Sequence, residues 1–324
     1  TDKDALLWVG EANAIPPEYA PHIGGETDFG GALVTPGLID AHSHLGVYPS
    51  PAVPAHSDGN ESTDPITAQV WAEHSLWPQD PGFNTARIGG VTTLLILPGS
   101  ANLMGGRGFS VRNVPGRTSQ DMKFPGAPQV LKMACGENPK RVYGTRNRTP
   151  STRMGNIAVA RAAWINAADY GRRWDDYRAK VARGEKAEPP KRDLQLDTLT
   201  GVLRGEILVE NHCYRADEMA VMIDIAKEFG FKITTFHHAV ESYKAAPFLA
   251  KEGICSAMWA SWTGFKMESL DGIDSNAALV WKAGACTLDA VGNVTRAGAT
   301  CGSCRPALQQ LIAATIPEEK RDAA

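Results

Sequence analysis

Two histidines, separated by a single residue, follow a short apolar stretch near the start of the chain. Asp40, His42 and His44 come directly after Leu38 and Ile39. In a β-strand, side chains two residues apart point to the same face, so these three polar groups would lie side by side. Imidazole and carboxylate groups are common ligands of Zn²⁺ and similar divalent ions. The spacing therefore predicts a metal site where the strand ends, and the alternative is a pair of polar loop histidines.

More histidines occur where later apolar segments end. Residues 206–212 end at His212, and residues 231–238 end at His237 and His238. Helical patterns such as residues 217–229 alternate with these segments, at a repeat of about 20–26 residues that is typical of parallel β/α units. This alternation predicts an α/β fold, a (β/α) barrel with its functional site at the carboxyl ends of the strands.

The segment 34–44 resembles the first barrel strand of the metal-dependent amidohydrolase superfamily, and residues 6–11 resemble the lead-in of imidazolonepropionases. The resemblance to this branch, which also includes Xaa-Pro-dipeptidase-like proteins, implies a TIM-like (β/α)8 barrel over residues 35–283. About seven of its strands are recognisable, so we expect an incomplete barrel. Residues 1–34, with short strands at 5–9 and 32–34, are expected to be the remnant of an N-terminal β-sandwich.

The resemblance also implies a set of metal ligands. His42 and His44 match the first-strand pair, and His212 matches the fifth-strand ligand. His238 matches the sixth-strand ligand better than His237, which we expect to face the opposite side of the strand and keep as the alternative. One or two divalent ions, Zn²⁺ or a similar metal, would activate water for attack on an amide-type carbon.

Four further residues are candidates for the chemistry. Lys132 interrupts an apolar strand, where it is either a carboxylated lysine that bridges two metals or a lysine whose amine reaches solvent. Glu137 is the alternative bridge or a helix cap. Arg215 could hold a substrate carboxylate or form a surface ion pair. The family's eighth-strand aspartate has no matching motif, and Asp289, after a potential strand at 285–288, is the candidate replacement.

The tail, residues 284–324, changes character. Its segment 294–306, with Cys301 and Cys304, resembles the second half of bacterioferritin-associated-ferredoxin-like [2Fe–2S] domains. Such a cluster needs four ligands, and the upstream cysteine pair of that module is missing. We therefore expect an inert tail, with zinc binding or a cluster shared across a dimer as alternatives. The other four cysteines show no pattern that predicts a disulfide.

Composition restricts the remaining possibilities. The chain has 324 residues, 43% hydrophobic and 21% charged, with a formal net charge of −3. Nothing in this balance indicates a nucleic-acid partner, and no apolar run is long enough to span a membrane. Without a recognisable secretion signal, we expect a cytoplasmic protein that acts on a small molecule, and the sequence leaves a homo-oligomer open.

These observations predict a metal-dependent hydrolase of C–N bonds in amides, cyclic amides or peptide-like compounds. The first alternative is a barrel that binds metal but is catalytically impaired, because the eighth-strand aspartate is missing. The second is an iron–sulfur redox or scaffold module carried by the tail.

Overall fold

The computed structural model describes residues 8–259 and 264–284. Within them, one sheet contains seven strands that lie beside one another in chain order. The strands are β1 Leu38–Ser43, β2 Val91–Ile96, β3 Met104–Arg112, β4 Gln129–Ala134, β5 Ile207–Cys213, β6 Ile233–His238 and β7 Cys255–Met258. The α/β class predicted from the sequence is confirmed.

Helices connect most of these strands and cover the outside of the sheet. They are α1 Pro81–Ile88, α2 Ser119–Met122, α3 Glu137–Gly144, α4 Arg153–Ala182, α5 Leu194–Leu203, α6 Ala216–Phe229, α7 Ser242–Glu252 and α8 Asn276–Gly284. None of the helices in the described residues is long and apolar enough to cross a membrane.

The sheet curls into a nearly closed barrel. His42 on β1 and His237 on β6 are in contact, with 2.8 Å between their Nδ1 atoms. In a flat sheet, strands five positions apart would be separated by about 24 Å, since neighbours are about 4.8 Å apart. Curvature therefore brings the first and sixth strands to one site.

The larger apolar core lies between the sheet and the helices outside it. Strands β4, β5 and β6 contribute Leu131, Val209 and Phe236, and α4 contributes Trp164, all fully buried. Helix α6 ends at Gly230, whose φ of 76° is the left-handed conformation that terminates helices at glycine. Most residues of these strands are buried, and the polar ones among them, such as Lys132, Glu210 and His212, are buried as well.

Strand β3 departs from the predicted all-parallel order. It runs antiparallel to both β2 and β4, whereas the other four strand pairs are parallel. Its glycine-rich segment 105–108 looks like a turn in the sequence, but these residues lie within the strand. Glycine is needed there for close packing: a Cβ at Gly108 would lie 2.7 Å from the Ile96 carbonyl oxygen.

Residues 1–37 form a compact unit of their own. Its described part, residues 8–37, contains two short 3-10 helices, Ala12–Ala14 and Pro17–His22, and no strand. The strand predicted at 32–34 is therefore wrong, and most of the one predicted at 5–9 lies outside the described residues. Prolines and glycines dominate this region, and they disfavour the regular ladders of a β-sandwich.

A disulfide joins Cys135 and Cys213, which we did not predict. Cys135 follows β4, and Cys213 is the last residue of β5. The register pairs Ala134 with His212, so the next residue on each strand also lies close to its neighbour, with 5.4 Å between the two Cα atoms. A separation of 78 residues in the chain hides this proximity from sequence reasoning.

Candidate metal centre

Five imidazoles meet at the carboxyl ends of the strands. His42 Nδ1 lies 2.8 Å from His237 Nδ1, and His42 Nε2 lies 3.1 Å from His44 Nε2. The ring of His238 has its centroid 4.8 Å from that of His42 and 4.4 Å from that of His212. The structure therefore brings together the four histidines predicted as ligands, which are His42, His44, His212 and His238. The alternative, His237, lies in the same cluster.

His237 does not face away from the cluster as we expected. It contacts His42, while its neighbour His238 also packs against the same ring. Strand β6 ends here with φ angles of 68° at His238 and 39° at Ala239. Such left-handed backbone at non-glycine residues is unusual and occurs frequently at functional sites. The left-handed backbone at His238 breaks the alternation of side chains along β6, so His237 and His238 can both reach the cluster.

Hydrogen bonds from the surroundings determine the tautomers of three imidazoles. The carbonyl oxygen of Leu97 can only accept, so His44 Nδ1 donates to it at 2.7 Å. The Glu210 carboxylate accepts from His237 Nε2 at 2.7 Å. In a neutral ring, His237 Nδ1 must then accept from His42 Nδ1. His42 and His44 thus both carry their proton on Nδ1. Their Nε2 atoms are unprotonated and present lone pairs to each other.

The imidazoles are held in the neutral form. Burial is the main cause that lowers the pKa of all five histidines, and the nearby charge of Lys132 lowers each of them further. The pKa of His44 falls to about 4. Neutral imidazole is the form that binds metal ions, so the local environment favours ligation over charge.

The His42 and His44 pair fits a divalent metal at two coordination positions. Two nitrogens at 2.0–2.1 Å from one tetrahedral zinc ion would be about 3.3 Å apart, close to the 3.1 Å between these Nε2 atoms. Among residues 8–259 and 264–284, no three His, Cys, Asp or Glu side chains are already arranged to hold a metal. The imidazole donors and the 3.1 Å spacing of their Nε2 atoms fit a divalent metal ion. Further ligands would have to move towards that ion.

Three buried nitrogen atoms near the pair have no hydrogen-bond partner among residues 8–259 and 264–284: Lys132 Nζ, His212 Nδ1 and His238 Nδ1. Leaving a buried polar atom unsatisfied costs about 1–3 kcal/mol, and an ion or a chemical modification is a common explanation. Lys132 is only 1% exposed, and burial lowers the pKa of its amine to about 7, against the opposing effect of Glu210. These three nitrogen atoms are therefore not engaged by any hydrogen-bond acceptor or donor among the described residues.

Three polar residues at the site were missed by sequence reasoning. Glu210 orients His237, and in the sheet it lies directly beside Lys132. Asn138 has its amide nitrogen 3.5 Å from His212 Nε2 and accepts from Lys266 Nζ at 2.9 Å. A sequence signal existed only for Glu210, which is a charged residue inside an apolar strand, as Lys132 is.

The other candidates lie further out. The Glu137 carboxylate contacts Lys266 at 3.4 Å, and the backbone N–H of Glu137 donates to Glu268. Arg215 makes a two-pronged contact with Asp217, at 2.9 and 2.7 Å. It lines a separate cavity from that of His42 and His44. Residues 285–288, with Asp289, and the tail cysteines lie outside the described residues.

A cavity of about 670 Å³ lies beside His42 and His44. Asp40, His42 and His44 line it on one side, and Tyr48 and the first turns of α1 line the other. This volume falls in the usual range for small-molecule sites. A small molecule in this cavity would lie beside the neutral imidazoles of His42 and His44.

Two known amidohydrolases are similar to most of this chain. The amidohydrolase tasK of Hapsidospora irregularis is 37% identical over 243 residues, which cover 71% of this chain but only 25% of that protein. The chain thus spans about a quarter of the length of this curated relative. The crystal structure of an amidohydrolase from Thermotoga maritima MSB8 matches with a TM-score of 0.71 at 31% identity, covering 90% of this chain and 81% of that one.

The carboxyl-terminal region resembles a different family. Residues 277–314 match the model of a BFD-like [2Fe-2S] binding domain. The matched region begins within α8, seven residues before the boundary at 284 that we predicted for the tail.

Proposed function

This chain belongs to the amidohydrolase family, and from that premise we propose that it hydrolyses a C–N bond in an amide, cyclic amide or peptide-like small molecule. The proposal includes a divalent metal, with Zn²⁺ as the first candidate, and an imidazolonepropionase-like or dipeptidase-like substrate. The single observation that supports it most is the 3.1 Å distance between the Nε2 atoms of His42 and His44, whose lone pairs face each other in the tautomers that the surrounding hydrogen bonds favour. Lone pairs so close repel each other unless a cation lies between them.

In this proposal, His42 and His44 hold one ion, and His212, His238 and Lys132 provide the other ligands. When bound, a divalent ion would acidify coordinated water and polarise the scissile carbonyl group. Glu210 and His237 keep the proton of His42 on Nδ1, so its Nε2 remains available. Arg215, two residues after β5, is proposed as a carboxylate anchor because its guanidinium can form a bidentate contact. Asp289 is proposed as the acid/base because it follows the potential eighth strand at 285–288, where no family motif is found.

Removal of the metal tests this function. We expect protein treated with a strong chelator to lose hydrolysis of amide and imidazolone test substrates, and stoichiometric Zn²⁺, Mn²⁺ or Co²⁺ to restore it. Unchanged hydrolysis after chelation, with metal removal verified by elemental analysis, would exclude metal-dependent chemistry.

Lys132 permits a second test. Its buried amine has no partner, so we propose that carboxylation makes it a bridging ligand between two ions. The Lys132→Met variant, which keeps the apolar stem, is expected to bind one ion fewer than wild type, and the second ion of wild type should depend on bicarbonate. If the variant keeps its full metal content, Lys132 has a structural role, and Glu137→Gln is the next variant to measure.

For the tail we propose that no stable [2Fe–2S] cluster forms, although residues 277–314 match a family that binds one. Cys301 and Cys304 supply only half of the four ligands required. Protein purified without oxygen should therefore be colourless. Visible absorbance that disappears in a Cys301→Ser, Cys304→Ser double variant would contradict this prediction and revive the iron–sulfur alternative.

A further inference from the structure

A second cavity, of about 710 Å³, lies at the carboxyl ends of β4 and β5. Helix α3, the start of α4, Arg215 and the turn that contains Glu268 surround it. It is similar in size to the cavity at His42 and His44, but its lining is different. Six charged groups line it: Glu137, Lys140, Arg141, Arg153, Arg215 and Glu268.

Internal ion pairs satisfy only some of these charges. Arg153 contacts both Glu218 and Glu268, and Arg215 contacts Asp217. In the part of the chain that the structure describes, neither Lys140 nor Arg141 has a carboxylate partner. Two cations on α3 are therefore available to a ligand.

One acidic group on the cavity wall is also incompletely satisfied. Glu268 is 3% exposed, and its Oε2 atom is buried and has no hydrogen-bond partner in the described part of the chain. Its Oε1 atom accepts from the backbone N–H of Glu137 and from Arg153. Burial, followed by the neighbouring Glu218 carboxylate, raises the pKa of Glu268 to about 7. A carboxylate with too few donors would be stabilised by an additional positive group.

We propose that this cavity binds a small zwitterion, an amino acid or short peptide with a free amino group and a free carboxylate. Lys140 and Arg141 receive the carboxylate, and Glu268 together with Glu137 receives the ammonium group. A purely anionic ligand would leave the buried Glu268 oxygen unsatisfied, and a purely cationic one would leave the two α3 cations unpaired. The exposed Met267 side chain offers an apolar contact for the rest of the ligand.

The binding proposed here is separate from the proposed hydrolysis, although Arg215 and Glu137 line this cavity and are also candidates for roles in that reaction. Glu137, on the cavity wall, precedes Asn138, whose amide lies 3.5 Å from His212. Leucine binding to this cavity can be measured directly, without an assay of hydrolysis. The result does not depend on whether a metal is present.

Calorimetry on the full-length protein, with L-leucine as the probe, tests the proposal. Two half-ligands complete the experiment: 4-methylpentanoate lacks the amino group, and 3-methylbutylamine lacks the carboxylate. We expect leucine to bind at least about tenfold more tightly than either, because each charged contact in a partly buried site contributes substantially. Absence of leucine binding, or equal binding of 4-methylpentanoate, would overturn the proposal.

Variants locate the binding. The Lys140→Ala, Arg141→Ala double variant changes two side chains without ion-pair partners and should weaken leucine binding about tenfold or more. Glu268→Gln keeps the side-chain shape and should reduce the preference for leucine over 4-methylpentanoate by a similar factor. Lys251→Ala, at an exposed position on α7, is the matched control and should bind as wild type does.

Amino acids also chelate metals, so the imidazole cluster must be excluded as their site. Leucine binding should persist in the His42→Ala, His44→Ala double variant. Binding lost in that variant but retained in the Lys140→Ala, Arg141→Ala variant would assign leucine to the histidines and overturn the proposal.

Discussion

Replacing His42 and His44 together by alanine is expected to abolish both metal binding and hydrolysis. Their Nε2 atoms lie 3.1 Å apart, and hydrogen bonds to Leu97 and His237 keep their lone pairs directed at each other. Loss of a single supporting residue around a metal site already costs about 10–100-fold in metal affinity or activity. Removing two direct ligands should exceed that range.

The control for this experiment is His74→Ala. His74 is exposed and stacks on Trp71, with 5.4 Å between the ring centroids, so the change removes an imidazole without touching the cluster. Metal content by elemental analysis and folding by circular dichroism should be measured on all three proteins. A folded double variant that retains the metal of wild type would refute the assignment of the site.

The second large effect is expected at Asp289. A positioned acid/base that moves the proton to the leaving nitrogen typically contributes 10²–10⁴-fold to the rate. If Asp289 takes this role, Asp289→Asn should lower kcat by about that factor while the metal content stays the same. The variant keeps the size of the side chain and removes only its ability to exchange a proton at neutral pH.

Asp274→Asn, at an exposed position before α8, is the matched control for Asp289→Asn and should leave kcat unchanged. Vigorous activity that Asp289→Asn does not alter would show that another residue is the base. A wild-type protein that binds metal but hydrolyses its substrates only very slowly would support the alternative of a catalytically impaired barrel.

Local patterns were sufficient to predict most of the barrel. The apolar segments 206–212 and 231–238 gave β5 and β6 within two residues, and most residues of both strands are buried. The same reasoning cannot give the direction of a strand. β3 contains glycines that look like a turn, and only its contacts with β2 and β4 show that it is an antiparallel strand.

The candidate site was predictable to a similar extent. Periodicity of two placed His42 and His44 on one face, and strand ends placed His212 nearby. Periodicity failed at His237, because the backbone turns left-handed at His238 and both rings reach the cluster. The partnership of His237 with Glu210 depends on contacts between different strands, which no local pattern contains.

X-ray absorption spectroscopy of the zinc-loaded, full-length protein tests the central claim most directly, because it identifies the atoms around the ion. We expect a first shell of nitrogen and oxygen at about 2.0–2.1 Å, with the outer-shell scattering of imidazole rings and no sulfur. A sulfur shell at about 2.3 Å would place the ion on cysteines and contradict a metal centre at His42 and His44.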